Sequence, residues 1–206
     1  MVACATAVSV DILATCYHCL SSSIRSGPGI EEEKAHREAV VHLTNSSTGE
    51  KVQARIAIYS VENDVALLQT LNDAKLMDGK EIVLDDAYVG QPYYILGTPI
   101  SDDEAPLQVI SGRISAKFIR TLTKQTIHDL HGHGGARVGA SGGAAFARHL
   151  DYGKAHFLGI VVSGPSISHD TKIGTFVSSN YVKMISSGTL YAIYMLFKNR
   201  DNVFKF

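Results

Sequence analysis

The sequence predicts an all-β chain of short antiparallel strands that ends in a helix. Apolar segments are short and rich in β-branched residues, turn residues separate them with 18 glycines among 206 positions, and helix signals gather only near the end. Many short strands divided by turn chemistry argue for a sandwich or barrel rather than for βαβ units.

In chain order, the strand candidates are Ala7–Ala14, Ala39–Leu43, Val52–Ile58 and Val65–Leu68, followed by Tyr93–Leu96, Gln108–Ile114, Phe157–Val162 and Gly174–Val177. Ser178 and Ser179 are placed to cap a helix running through Tyr181, Val182 and Ile185. That helix is interrupted or stopped at Ser187-Gly188, ahead of the run LYAIYMLF. The charged run EEEKAHRE at 31–38 reads as a solvated loop or face. A boundary is expected around Leu76–Asp86, where Asp, Gly and Lys separate two sets of strands, and no internal repeat shows by period.

Composition limits what the chain can do. With 45% hydrophobic residues it can bury a sizeable core. Nineteen Lys plus Arg against twenty Asp plus Glu leave a net charge of −1, so no global field favours nucleic acid or an anionic membrane, and neither is expected as a partner. MVACATAVSV lacks the basic start and long apolar core of a secretory signal, which makes the cytoplasm the default expectation. No window approaches the roughly eighteen consecutive apolar residues that cross a bilayer. Cys4, Cys16 and Cys19 are odd in number and read as reduced thiols. The CxxC at 16–19 has no second CxxC and no helix start after it, so it is read as neither a zinc nor a redox motif.

The glycine-rich segment GGARVGASGGAAF at 134–146 surrounds Ser141. Alone it suits a tight turn; its companions give it a chemical reading. His18 follows the apolar run in VDILATCYHCL, and Asp64 heads another in ENDVALLQT. A serine hydroxyl is a poor nucleophile at neutral pH until a base accepts its proton, and imidazole titrates in the right range to do so. A carboxylate holds the imidazole in one tautomer and stabilises the imidazolium. Glycines let the backbone N–H groups of Gly139 and Ser141 converge on a developing oxyanion.

On these motifs the sequence resembles the trypsin-like serine peptidases, in particular the HtrA-like group. VDILATCYHCL resembles the family's strand ending in the catalytic His, NDVALLQ its Asp motif, and GASGG its nucleophile loop. VGQPYYILGTPI followed by ISGRISAKFI resembles the opening of the second barrel. FLGIVVSG resembles the strand lining the substrate cleft, and IGTFVSSNYVKMI the last strand leading into the terminal helix. The resemblance implies two six-stranded antiparallel β-barrels with a catalytic cleft. They are expected at 1–85 and 86–178, followed by a helix and tail at 179–206. It further implies a serine endopeptidase acting on peptide or protein substrates through His18, Asp64 and Ser141, with no cofactor and no metal. The alternative is a catalytically silent member of the fold that binds peptides or protein partners.

Several positions depart from the family pattern. Ala140 stands where secreted relatives carry an Asp that pairs with a new N-terminus, so no zymogen activation by that ion pair is expected. Only about seventeen residues precede His18, where the family has a further strand, and the expectation is either an incomplete first barrel or a truncated form of the sequence. Cys4 and Cys19 match the spacing of a disulfide in secreted relatives, yet with no signal in view thiols are preferred. By the resemblance, Gly135 forms the base of the primary pocket and Gly164 and Gly174 its walls, favouring an apolar or aromatic side chain. Asp129 is the acid that could approach this pocket from the loop HDLHGHGGARV. Ser163 would bond substrate backbone, and Val162 replaces the usual small hydroxyl beside the triad. His128, His131 and His133 in the same loop could ligate zinc with Asp129, but the preferred reading is a solvated loop bordering the cleft. His36, His42, His149, His156 and His169 show no partner spacing.

Overall fold

A computed structural model describes residues 3–21, 24, 32–71, 76, 83–84, 86–98, 107–122, 125–134, 139–147, 156–163, 167–170, 175–178, 181–199 and 204–205. The first part of the chain contains β1 (Thr6–Ala7), β2 (Ile12–Thr15), α1 (Tyr17–Ser21), α2 (Glu32–Glu38), β3 (Val40–Thr44), β4 (Lys51–Ser60) and β5 (Val65–Thr70). There follow β6 (Val83–Leu84), β7 (Pro92–Gly97), β8 (Gln108–Leu122), β9 (Gln125–Gly134), β10 (Ala144–Ala147) and β11 (His156–Ser163). The chain ends with β12 (Ile167–Asp170), β13 (Thr175–Ser178), β14 (Tyr181–Ser186), α3 (Ser187–Lys198) and β15 (Phe204–Lys205). These elements form two compact units, one of Ala5–Ile82 with Tyr191–Phe206 and one of Met1–Cys4 with Val83–Leu190.

In the unit containing Ala5–Ile82, six strands form one sheet in the order β1-β2-β5-β4-β15, with β3 also on β4. β3 and β15 meet successive stretches of β4: β3 pairs with Lys51–Arg55 and β15 with Ile58 and Tyr59. Among the described residues the sheet is an open half-barrel. Burial follows the sequence pattern. β4 begins with exposed Lys51, Gln53 and Arg55 alternating with buried Val52, Ala54 and Ile56, then runs fully buried through Ile58 and Tyr59. Leu13, Leu20, Ile56, Tyr59 and Leu68 form the core.

The other unit is a closed barrel. Its strands follow the order β10-β7-β8-β9-β14-β11, and β11 pairs back onto β10; β6 adds in parallel to β11. Closure removes the outer edges of the sheet, and the β8–β9 hairpin runs on past it, since β7 pairs with Gln108–Arg113 and β14 with Asp129–His133. Tyr93, Ile95, Ile114, Leu130, Leu158, Val182 and Met184 fill the interior. A separate two-stranded ribbon pairs β12 with β13.

Five local expectations are corrected. The single strand expected at Ala7–Ala14 is a hairpin, in which Thr6 and Ala7 pair with Ala14 and Leu13. EEEKAHRE is not simply a solvated loop: Glu32–Glu38 is helical, and His36 is buried against tyrosines. The strand expected at Gln108–Ile114 continues to Leu122, because the segment read as a Gly/His loop supplies its partner, β9. Tyr181–Ser186 is a strand, since its alternating burial matches a period of two. The helix after it starts at Ser187, and Ser186 caps it: the Thr189 backbone N–H donates to Ser186 Oγ at 3.2 Å. Finally, a helix does start after Cys16, since α1 begins at Tyr17.

Candidate active site

His18 and Asp64 meet in the open sheet unit. β2 is buried along its whole length and delivers the chain to α1, whose first turn carries His18. β4 and β5 are joined by a tight turn at Val61–Asp64, closed by the Asp64 N–H donating to the Val61 carbonyl at 3.2 Å. Asn63 anchors it, with its side-chain amide donating to Ser60 Oγ at 2.9 Å. Asp64 ends the turn at φ 55°, a left-handed conformation that Asp tolerates better than most residues. Pairing of Thr15 with Ala66 sets β2 beside β5 and brings the two ends together.

Both carboxylate oxygens of Asp64 then hold His18. Oδ1 accepts the His18 backbone N–H at 2.8 Å, and Oδ2 lies 2.6 Å from Nδ1. This hold places a proton on Nδ1 and leaves the Nε2 lone pair available. Desolvation pulls the His18 pKa down, but the Asp64 hydrogen bond and charge, with smaller help from Cys19, outweigh it, and the net shift is upward. The opposite ring atom, Nε2, lies 3.4 Å from Cys19 Sγ. A hydrogen bond from the Cys16 thiol, opposed by desolvation and aided by the His18 charge, lowers the Cys19 pKa.

A stack of rings supports the start of α1. Tyr17, directly before His18, stacks on Tyr59 at 5.3 Å, and His36 stacks on Tyr59 at 4.3 Å. Tyr17 Oη and His36 Nε2 are hydrogen-bonded at 2.9 Å. Sequence reading missed this role of His36; its aromatic partners lie 19 and 23 positions away, so no local spacing signals them.

Ser141 lies in the closed barrel unit, on the turn that leads into β10. The Gly143 N–H donates to the Ala140 carbonyl at 2.8 Å, which closes the turn around the serine. β11 clamps the next residues: the Gly142 N–H donates to the Val161 carbonyl at 2.7 Å, and the Val161 N–H to the Gly143 carbonyl at 2.9 Å. Gly139 is at φ 102°, where a side chain would be strained. At Gly143 a Cβ would lie 2.4 Å from the Leu96 carbonyl oxygen. Cys4 braces the loop. Its N–H donates to the Ser141 carbonyl at 2.9 Å and its thiol to the Gly139 carbonyl at 3.4 Å. Cys4, Cys16 and Cys19 are all thiols rather than disulfides.

Of the expected pocket residues, Gly135, Gly164 and Gly174 lie outside the described residues. Ser163 ends β11 in register with Lys183, and Val162 is buried. Asp129 does not reach out of a loop; it is buried on β9, with Lys183 Nζ at 3.6 Å. The three β9 histidines do not converge. His128, His131 and His133 face Ile119, Ala116 and Arg113 across the ladder, and His131 packs against Phe118 and Tyr181 and bonds the Tyr181 hydroxyl. Among the described residues, the Cys/His/carboxylate group whose donor atoms do converge is Cys16, His18 and Cys19.

The fold is that of a trypsin-like peptidase domain. Residues 4–151 match the trypsin-like peptidase domain family, and the chain belongs to it. Among solved structures, the HtrA-type protease AlgW with a decapeptide superposes with a TM-score of 0.65 at 17% identity, covering 97% of this chain and 52% of AlgW. Rv3671c from M. tuberculosis H37Rv gives 0.61 at 15% identity, covering 97% of this chain and 83% of that one. The MamO protease domain from Magnetospirillum magneticum gives 0.58 at 13% identity, covering 93% and 87%. The chain thus spans about half the length of the AlgW chain it resembles. No curated protein matches it by sequence. No helix among the described residues is long and apolar enough to cross a membrane.

Proposed function

We propose that this chain is a serine endopeptidase. Ser141 Oγ attacks the scissile carbonyl, while His18 Nε2 takes its proton and returns it to the leaving amine. Asp64 orients His18, and the Gly139 and Ser141 amides hold the oxyanion of each tetrahedral intermediate. Water then hydrolyses the acyl-enzyme by the same proton transfers in reverse. The observation that carries this reading is the two-point hold of Asp64 on His18, through the backbone at 2.8 Å and Nδ1 at 2.6 Å. Such a hold sets the tautomer a general base needs.

A peptide is the proposed substrate class; AlgW, which shares the fold, was solved with a decapeptide. The proposed preference is for an apolar or aromatic side chain, which rests on the family resemblance at Gly135, Gly164 and Gly174, and the proposed partner of the substrate backbone is Ser163. The pairing of buried Asp129 with Lys183 Nζ at 3.6 Å supports the apolar preference, because it commits this acid to a cation. A cleavage-site profile dominated by Lys and Arg would overturn this preference.

The test is labelling by a fluorophosphonate probe, which phosphonylates only an activated serine. Wild type is expected to label, and Ser141→Ala and His18→Ala are not. Folded wild-type protein that fails to label would sink the peptidase in favour of a silent, peptide-binding member of the fold.

A further inference from the structure

We propose that Cys16, His18 and Cys19 form a binding site for a thiophilic divalent cation such as Zn²⁺, whose occupancy removes the general base. The two thiol sulfurs and an imidazole nitrogen lie within 4.8 Å of one another. Cys19 Sγ is 3.4 Å from Nε2. With zinc–sulfur and zinc–nitrogen bonds of about 2.3 and 2.0–2.1 Å, a tetrahedral site has a sulfur-to-nitrogen edge of about 3.5 Å. The pair therefore already stands at bonding separation for a shared metal.

The imidazole is also prepared as a ligand. A metal-bound histidine usually donates its other ring N–H to a carboxylate, which fixes the tautomer and turns the lone pair toward the metal. Asp64 does this here, with Oδ2 at 2.6 Å from Nδ1. The hold that sets up a proton acceptor for Ser141 sets up a metal ligand equally well, because both need the same Nε2 lone pair.

Local chain geometry explains why the three donors meet. Cys16 is the last residue before α1 and is buried, while Cys19 is one turn further on, its N–H donating to the Cys16 carbonyl at 3.2 Å. This turn brings both sulfurs within 4.8 Å of the imidazole nitrogen. His18 is 47% exposed, so a hydrated ion has a path to the site and water can fill the fourth position. Binding breaks two S–H bonds, releases two protons to solvent, and forms two zinc–sulfur bonds and one zinc–nitrogen bond. No electron changes hands.

The consequence for catalysis rests on the peptidase reading; the metal site does not. With Zn²⁺ on Nε2 the lone pair cannot accept the Ser141 proton, so metal occupancy and activity exclude one another.

The experiment uses the full chain in a phosphine reductant. Co²⁺ is expected to bind at one equivalent with thiolate-to-cobalt charge-transfer absorption and the visible bands of a tetrahedral site, and Zn²⁺ to displace it. Cys19→Ala, Cys16→Ala and His18→Ala are each expected to weaken binding at least tenfold, and Asp64→Asn, which touches no metal, by about 10–100-fold. Circular dichroism reports folding, and Cys19→Ala with Asp64→Asn suffices if the buried Cys16 variant unfolds. Zn²⁺ is expected to block fluorophosphonate labelling of wild type and a chelator to restore it. Each variant's zinc response is scored against its own metal-free labelling, and Cys19→Ala is expected to lose most of it. Absence of the cobalt–thiolate band, or Co²⁺ affinity unmoved by Cys19→Ala, would overturn the site. Full labelling with the cobalt signature present would overturn the exclusion. A cobalt signature in protein that never labels supports the metal site and removes the peptidase reading instead.

Discussion

Replacing Asp64 by Asn removes one charge while keeping the side chain's shape. Asn tolerates the left-handed backbone at φ 55° about as well as Asp does, so the turn closing β4 onto β5 should persist. The chemistry should not. An amide group beside Nδ1 turns an NH₂ toward the ring, which favours the tautomer with its proton on Nε2, and Nε2 then has no lone pair for Ser141. In the triad template this change costs about 10⁴ in turnover. At about 1.36 kcal/mol per factor of ten, that is about 5.4 kcal/mol of barrier. The assay is the acylation rate with a fluorophosphonate or fluorogenic peptide across pH, alongside circular dichroism. Imidazolium cannot accept a proton, so the wild-type rate should rise with pH through the His18 pKa, which stands above the ordinary 6.5. In Asp64→Asn desolvation is left without its main opponent, and the midpoint should move down. A folded variant within tenfold of wild type, or an acid limb that does not move, would refute the orienting role of Asp64.

Two further substitutions test the supports of the site. Gly143→Ala places a methyl group 2.4 Å from the Leu96 carbonyl oxygen and 2.8 Å from that of Ala140, both backbone atoms. A loss of about 1–3 kcal/mol is expected, together with weaker labelling, and an unchanged urea midpoint would contradict the close approach. His36→Ala removes a ring stacked 4.3 Å from Tyr59 and a hydrogen bond to Tyr17. Urea unfolding should show about 2–4 kcal/mol lost, with slower acylation because Tyr17 adjoins His18; wild-type stability would show that the ring stack carries no load.

Much of the fold is legible in the chain because its strands obey a period of two and its turns use glycine. Tyr93–Leu96, Val65–Leu68 and Phe157–Val162 read directly as strands. Tyr181–Ser186 misled because Tyr181, Val182 and Ile185 also fit a helical face; pairing with β9 and β11 decided for a strand. The charged run at Glu32–Glu38 hid an inward residue, His36, beside exposed Arg37 and Glu38.

What the sequence determined by itself is chemical identity and order: a histidine after a buried apolar strand, an aspartate heading another, and a serine among glycines that alone permit its tight turn. These depend on residue type and nearest neighbours, so they survive without a structure. Only the tertiary structure decided that Asp64 grips His18 across 46 positions and that the Cys16 and Cys19 sulfurs gather at the His18 imidazole. The first depends on the pairing of β2 with β5, the second on a one-turn helix beginning at Tyr17. Both are contacts that a linear pattern carries no term for.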